Sequence, residues 1–156
     1  MIFNPPYGGN EKADIKSHFP DDLASSETAD LFMAVILYRL KQNGRAAVIL
    51  PDGFLFGTDN AKINIKKKLL KECNLHTVIR MPSSVFAPYT SITTSILFFD
   101  RTHSTEETRF YRLDMPAEYK GNTAQFKAHG LPFLIPSACP KNLGKATALP
   151  QFICTT

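Results

Sequence analysis

The tetrapeptide Asn4-Pro5-Pro6-Tyr7, followed by Gly8-Gly9, assembles groups that can act together on one planar, amine-bearing ring. Two prolines fix φ and stiffen the backbone, the Asn4 amide both donates and accepts, and the Tyr7 face offers a stacking surface. An exocyclic amine such as that of adenine is a poor nucleophile, because its lone pair is delocalised into the ring. Two acceptors, the Asn4 side-chain oxygen and the Pro5 carbonyl, would hold both amine hydrogens and favour a more tetrahedral nitrogen as a methyl group approaches in line. Tyr7 would stack on a base that has left its duplex, offsetting an unstacking cost of about a few kcal/mol. The same hexapeptide also suits an ordinary turn, since Asn, Pro and Gly favour turns for conformational reasons. Its setting argues for chemistry: residues 1–3 read as the end of a buried strand, and ligands of open α/β sheets bind beyond the carboxyl ends of strands.

The elements that must hold this loop follow in order. Residues 10–26 are polar and rich in Asp, Ser and Lys, and are expected to form a functional loop flanking the cleft. A helix is expected from Ser26 to Lys41, with Ala29, Leu31, Phe32, Val35, Ile36, Tyr38 and Leu40 forming a broad apolar face and Asn43-Gly44 ending it. Residues 45–50 form a short apolar run closed by Pro51, as for an interior parallel strand covered on both faces, with Pro51-Asp52-Gly53 as its exit turn. A second helix is expected from about Asn60 to Cys73, with Ile63, Ile65, Leu69 and Leu70 inward and the lysines, including Lys62 and Lys66-Lys67-Lys68, on a solvated outer face. Residues 75–81 then form another strand, in which His76 reads as a core or edge residue rather than a base. Residues 92–100 form a further strand, reached by so short a link that an antiparallel return is favoured, and residues 110–113 an edge strand. The sequence therefore predicts an α/β fold whose sheet is mostly parallel with one late antiparallel strand.

Composition sets outer bounds. The 156 residues, 44% of them hydrophobic, suit one domain of ordinary size. A net charge of +4 is compatible with a polyanionic partner, although the lysines are spread apart from the group at 62–71. Cys73, Cys139 and Cys154 are odd in number and have no metal-ligand spacing, which argues against a disulfide framework or a metal site and for a reducing cytoplasm. The longest apolar stretch, residues 31–40, is far below a membrane span and is interrupted by Arg39, and no charged leader precedes an apolar run.

Three ordered blocks carry a family likeness: Asn4-Pro5-Pro6-Tyr7-Gly8; residues 44–57, Gly-Arg-Ala-Ala-Val-Ile-Leu-Pro-Asp-Gly-Phe-Leu-Phe-Gly; and Val85-Phe86-Ala87-Pro88-Tyr89-Thr90 ahead of residues 94–99. Over residues 1–120 the chain resembles the modification subunit of type I restriction-modification systems, an adenine-N6 DNA methyltransferase. The resemblance implies part of a class I, Rossmann-like methyltransferase sheet, S-adenosylmethionine as cofactor, and Asn4, Pro5, Pro6 and Tyr7 as the catalytic loop. It implies that Phe86 or Tyr89 adds a stacking surface for the base, although both also suit ordinary packing of aromatics at the end of a sheet. Asp52 reads as a cap on the turn after its strand. The partners implied are double-stranded DNA, the specificity and restriction subunits of a type I complex, and a separately encoded amino-terminal half, in a bacterial or archaeal cytoplasm.

The chain also departs from the family pattern. The glycine-rich turn after a first strand, and the acidic residue after a second that would meet the cofactor's ribose, have no counterpart, so no cofactor-binding residue is assigned. Residues 121–156 contain no Asp or Glu and four interrupting prolines, and read as an irregular tail foreign to the family, as after a frameshift near Tyr119-Lys120. Two other readings stand beside the DNA methyltransferase. One is a non-catalytic remnant or interaction fragment; the other is a protein glutamine N5-methyltransferase, since a loop of this kind grips planar amides by the same hydrogen bonds.

Overall fold

The computed structural model describes residues 1–113. Five strands form one sheet in the order β1-β2-β4-β3-β5: β1 is Ile2–Phe3, β2 Arg45–Pro51, β3 Asn74–Arg80, β4 Thr94–Asp100 and β5 Arg109–Arg112. The helices are α1 (Ala13–Lys16), α2 (Thr28–Arg39), α3 (Asp52–Phe56) and α4 (Asn60–Glu72). β1 pairs parallel with β2, and β5 parallel with β3. β4 is antiparallel to both of its neighbours and separates β2 from β3, which run in a common direction. The sheet is thus mostly parallel with one antiparallel strand, in accord with the ten-or-so residue link that favoured a return. Strands chemically suited to this central place are continuous and apolar, and β4 supplies Leu97 and Phe99, both 0% exposed.

The core lies between this sheet and the helices packed on it. Val48 and Leu50 of β2, Leu97 and Phe99 of β4, Met33 and Leu37 of α2, and Ile65 and Leu69 of α4 are essentially excluded from water. Burial of each such side chain contributes about 1.5–3 kcal/mol relative to exposure. In β2 the residues alternate between deep and partial burial, so its two faces are not equally covered as expected of a doubly buried strand.

Several element boundaries and faces differ from the expectation. α2 stops at Arg39 rather than near Asn43, because Leu40 is extended and the Arg101 guanidinium donates to the Leu37 and Leu40 carbonyls at 3.1 and 2.9 Å. A cation at the negative end of a helix is favourable, and here it comes from beyond β4. Asn43 takes φ 60° in the turn that follows. The buried face of α2 is Ala29, Leu31, Met33, Ala34, Ile36 and Leu37, whereas Phe32, Val35 and Tyr38, which were expected to face inward, are exposed. The loop at 10–26 contains α1, and an isolated bridge between Asn10 and Glu27 pins its two ends together. The exit from β2 is the short helix α3, not a bare turn. α4 does not turn all its lysines outward, since Lys62 is buried and Lys66 is partly buried. A bulge in β3 between Leu75 and Thr77 leaves His76 exposed, with its Nδ1 2.9 Å from Thr77 Oγ1. The irregular tail expected at 121–156 lies outside the described residues.

Candidate active site

The carboxyl ends of β1, β2 and β3 and the start of β4 share one edge of the sheet, and the expected site residues gather there. Asn4 to Tyr7 leave β1 directly; Pro5 is buried, Asn4 and Pro6 are exposed, and Tyr7 is half-buried. The Tyr7 hydroxyl donates to Asn4 Oδ1. That bond sets the Asn4 amide plane and leaves its oxygen a second lone pair for another donor. Burial pushes the Tyr7 hydroxyl up to about 12, so it stays protonated and able to donate through the neutral range.

Gly8 and Gly9 then turn the chain. Gly8 has φ +72°, a conformation that side chains disfavour, and a Cβ on Gly9 would lie 2.4 Å from Thr28 Oγ1. The close approach lets Thr28 at the start of α2 hold the loop: its amide donates to the Gly9 carbonyl at 3.0 Å, and its hydroxyl to Glu11 Oε1 at 2.8 Å. Glu11 in turn donates its amide to the Ser26 carbonyl at 2.9 Å. The motif is therefore fixed at one end by the sheet and at the other by the first turn of α2.

The opposite side comes from the link between β3 and β4. Residues 82–90 wind through successive tight turns, with the Val85 amide on the Pro82 carbonyl, Ala87 on Ser84, and Tyr89 and Thr90 on Phe86. These turns bring the Phe86 ring to Tyr7, centroid to centroid 6.1 Å at 63°, an edge contact. Tyr7 and Phe86, nearly eighty residues apart in sequence, are thus neighbours, while the Tyr89 side chain is 86% exposed.

The Asp52 side chain does not cap the turn as expected, since its Oδ1 is buried without a hydrogen-bond partner and its Oδ2 is taken by Arg80. Its Oδ2 is 2.6 Å from Arg80 Nη2, joining the ends of β2 and β3 across β4, and the Arg80 guanidinium also lies 5.8 Å from the Phe56 ring centre. The Asp52 amide donates to the Thr93 carbonyl at 3.0 Å and the Met81 amide to the Thr94 carbonyl at 2.9 Å, which closes this end of the sheet. Arg80 and Thr28 carried no functional expectation from sequence. The one signal available was that each stands at the end of an element on the same side as the loop, and such a signal is readable only once the strand order is known.

Among the described residues no three or more His, Cys, Asp or Glu side chains converge as a metal site, and no helix is long and apolar enough to cross a membrane. Gly8-Gly9 does not have the form of a dinucleotide-binding turn either. The next helix, α1, is four residues long, and the Gly9 carbonyl is engaged by Thr28. The described residues therefore do not fit S-adenosylmethionine by that route.

Known proteins share this chain's sequence and fold. The chain is 50% identical over 116 residues to the type I restriction enzyme EcoEI methylase subunit of Escherichia coli, an overlap of 74% of this chain and 24% of that relative's length. It also superposes on the modification subunit of a provisionally assigned type I restriction enzyme from Vibrio vulnificus YJ016, with a TM-score of 0.71, 44% identity, and coverage of 74% of this chain and 25% of the other. A provisionally assigned class I S-adenosylmethionine-dependent methyltransferase from Listeria monocytogenes, 20% identical with a TM-score of 0.60, shares the fold over 82% of this chain and 40% of its own. The family model described as N-6 DNA Methylase matches residues 1–131, and the chain belongs to that family.

Proposed function

We propose that this chain supplies the base-holding part of a DNA adenine-N6 methyltransferase, working as the modification subunit of a type I restriction-modification system does. The observation that carries the reading is the meeting of Tyr7 and Phe86 beside Asn4, at the carboxyl end of β1. In this reading an extruded adenine lies against the Tyr7 ring with Phe86 at its border, and Asn4 Oδ1 and the Pro5 carbonyl accept the two amine hydrogens. Both bonds strengthen as the nitrogen becomes cationic, so they stabilise the transition state more than the bound base. Tyr7 keeps the Asn4 oxygen aimed while its own ring stacks. Tyr89, being exposed, is assigned an outer contact to the strand rather than to the base.

S-adenosylmethionine is the methyl donor in this proposal on the strength of family membership. Residues 1–120 are assigned to the catalytic domain and residues 121–156 to a tail. Because the chain spans 24% of the length of its relative, the cofactor site is assigned to a complementing amino-terminal portion, and DNA sequence choice to a specificity subunit acting beside a restriction subunit. The assembly would act on double-stranded DNA in the cytoplasm of a bacterium or archaeon.

The test combines the chain with an amino-terminal portion from its 50%-identical relative, labelled S-adenosylmethionine and duplex DNA, and identifies the product by mass spectrometry. N6-methyladenine that disappears with Asn4→Ala is expected. Methyl groups on protein glutamine, or none on DNA under conditions where both portions are folded and bound, would overturn the proposal.

A further inference from the structure

Lys62 is 3% exposed, in the first turn of α4, where the helix dipole disfavours a cation. Its ammonium lies 2.7 Å from Glu27 Oε1, 2.8 Å from Asp59 Oδ2 and 3.3 Å from the fully buried Asp30 Oδ2. Ser25 Oγ donates to the same Asp30 oxygen at 2.6 Å and accepts from the Glu27 amide at 3.1 Å, while Asp30 Oδ1 is buried with no hydrogen-bond partner. An apolar pair would fill this space at less cost, because desolvating charges consumes most of what their attraction returns. The arrangement instead commits α4 to one position against two other segments.

The first segment is the beginning of α2. Glu27 adjoins Thr28, whose amide and hydroxyl hold the Gly9 carbonyl and the Glu11 carboxylate. The second is the exit from β2. A Cβ on Gly57 would lie 2.4 Å from Lys62 Cδ, so the lysine stem occupies the space the glycine leaves open. One turn along α4, Lys66 Nζ donates to the Gly57 and Leu55 carbonyls at 2.8 and 3.0 Å. From these contacts we infer that Lys62 is a positioning residue that sets the Asn4–Tyr7 loop, through Thr28, relative to the Asp52–Gly57 segment that leaves the same edge of the sheet. The inference rests on the base-holding role proposed for that loop, and Lys62 itself touches neither base nor cofactor in it.

Amide hydrogen exchange on the full 156-residue chain tests the link without requiring activity. Two variants are used. Lys62→Met with Asp30→Asn removes both buried charges together, and Asp59→Asn removes one exposed carboxylate and leaves the buried pair. Exchange of residues 5–11 and 52–58 is expected to rise about tenfold or more in the double variant and less in Asp59→Asn, with the β4 amides unchanged. In the assembled enzyme kcat falls while KM for DNA holds. Faster exchange spread evenly over β4, or residues 5–11 left at the wild-type rate, would overturn the inference. If the double variant does not fold, Asp59→Asn decides the matter by the same two segments. A selective exchange change in a chain whose wild-type assembly never methylates adenine would retain the mechanical link and overturn the proposed function instead.

Discussion

Replacing Tyr7 by Phe separates two roles that one side chain performs. The variant keeps the ring, and with it the edge contact to Phe86 at 6.1 Å, but removes the hydroxyl that donates to Asn4 Oδ1. A neutral hydrogen bond of this kind contributes about 0.5–1.5 kcal/mol, which corresponds to a two- to roughly tenfold fall in the rate of methyl transfer if the bond aims the acceptor in the transition state. Tyr7→Ala loses the ring as well. Stacking of a base on an aromatic face is worth about 1–3 kcal/mol, a further loss of roughly 5- to 150-fold. The assay is single-turnover methyl transfer by the complemented enzyme, with DNA affinity measured in parallel under identical salt. The Phe variant should bind DNA as wild type and slow only the transfer, whereas Ala should slow it much further with a smaller change in affinity. If Phe and Ala lose equally, or if both lose affinity and rate in proportion, Tyr7 is not acting through a hydroxyl that aims Asn4 and a ring that stacks.

The raised Tyr7 value, about 12 against 10.0, means that the folded chain holds this proton more tightly than the unfolded one; the associated stability is complete below pH 10 and is lost as pH climbs toward 12. An absorbance titration of tyrosinate should show a late component near that value which Tyr7→Phe abolishes, and a titration finished well before it would contradict the burial argument. Phe99→Ala, at a 0%-exposed site on the central strand, should cost about 3–5 kcal/mol in denaturant unfolding, and a cost below about 1 kcal/mol would refute the placement of β4 in the core. Gly9→Ala should lower the melting temperature by the equivalent of about 1–3 kcal/mol, because its methyl group would overlap Thr28 Oγ1; adding Thr28→Ala should recover part of that loss, and strict additivity would show that the two do not meet.

The order of elements was legible because each carries its own local pattern. The apolar run at 45–50, the lysine-and-leucine periodicity at 60–72 and the short link before residue 94 each pointed to the element found there. What the pattern could not carry was partnership. Phe32, Val35 and Tyr38 have the same hydrophobicity as residues that do reach the core, and only the direction of α2 against the sheet decides that they stay outside. Lys62 and Lys66 read as ordinary helix-surface lysines because the carboxylates and carbonyls that receive them arrive from residues 27, 30, 55, 57 and 59. In the candidate site, the loop at residues 4–7 was conspicuous as a motif and family likeness offered Phe86 or Tyr89 as a further stacking surface, but the contact of Phe86 with Tyr7 depends on how the link at 82–90 winds and was not foreseen. The Asp52–Arg80 pair was illegible, since two residues 28 positions apart become neighbours only when β2 and β3 flank β4.

The place of β4 also governs when this protein can come into being on the ribosome. β2 and β3 are made first and run alongside each other, yet they are held together through a strand that is synthesised after both. Until Asp100 has emerged, the nascent chain has two separated ribbons with unpaired edges and no Leu97 or Phe99 to cover the apolar faces of α2 and α4. The sheet can therefore close only once β4 is free of the ribosome, and a nascent chain that has emerged only as far as residues 81–94 exposes the edges of β2 and β3 that β4 will fill.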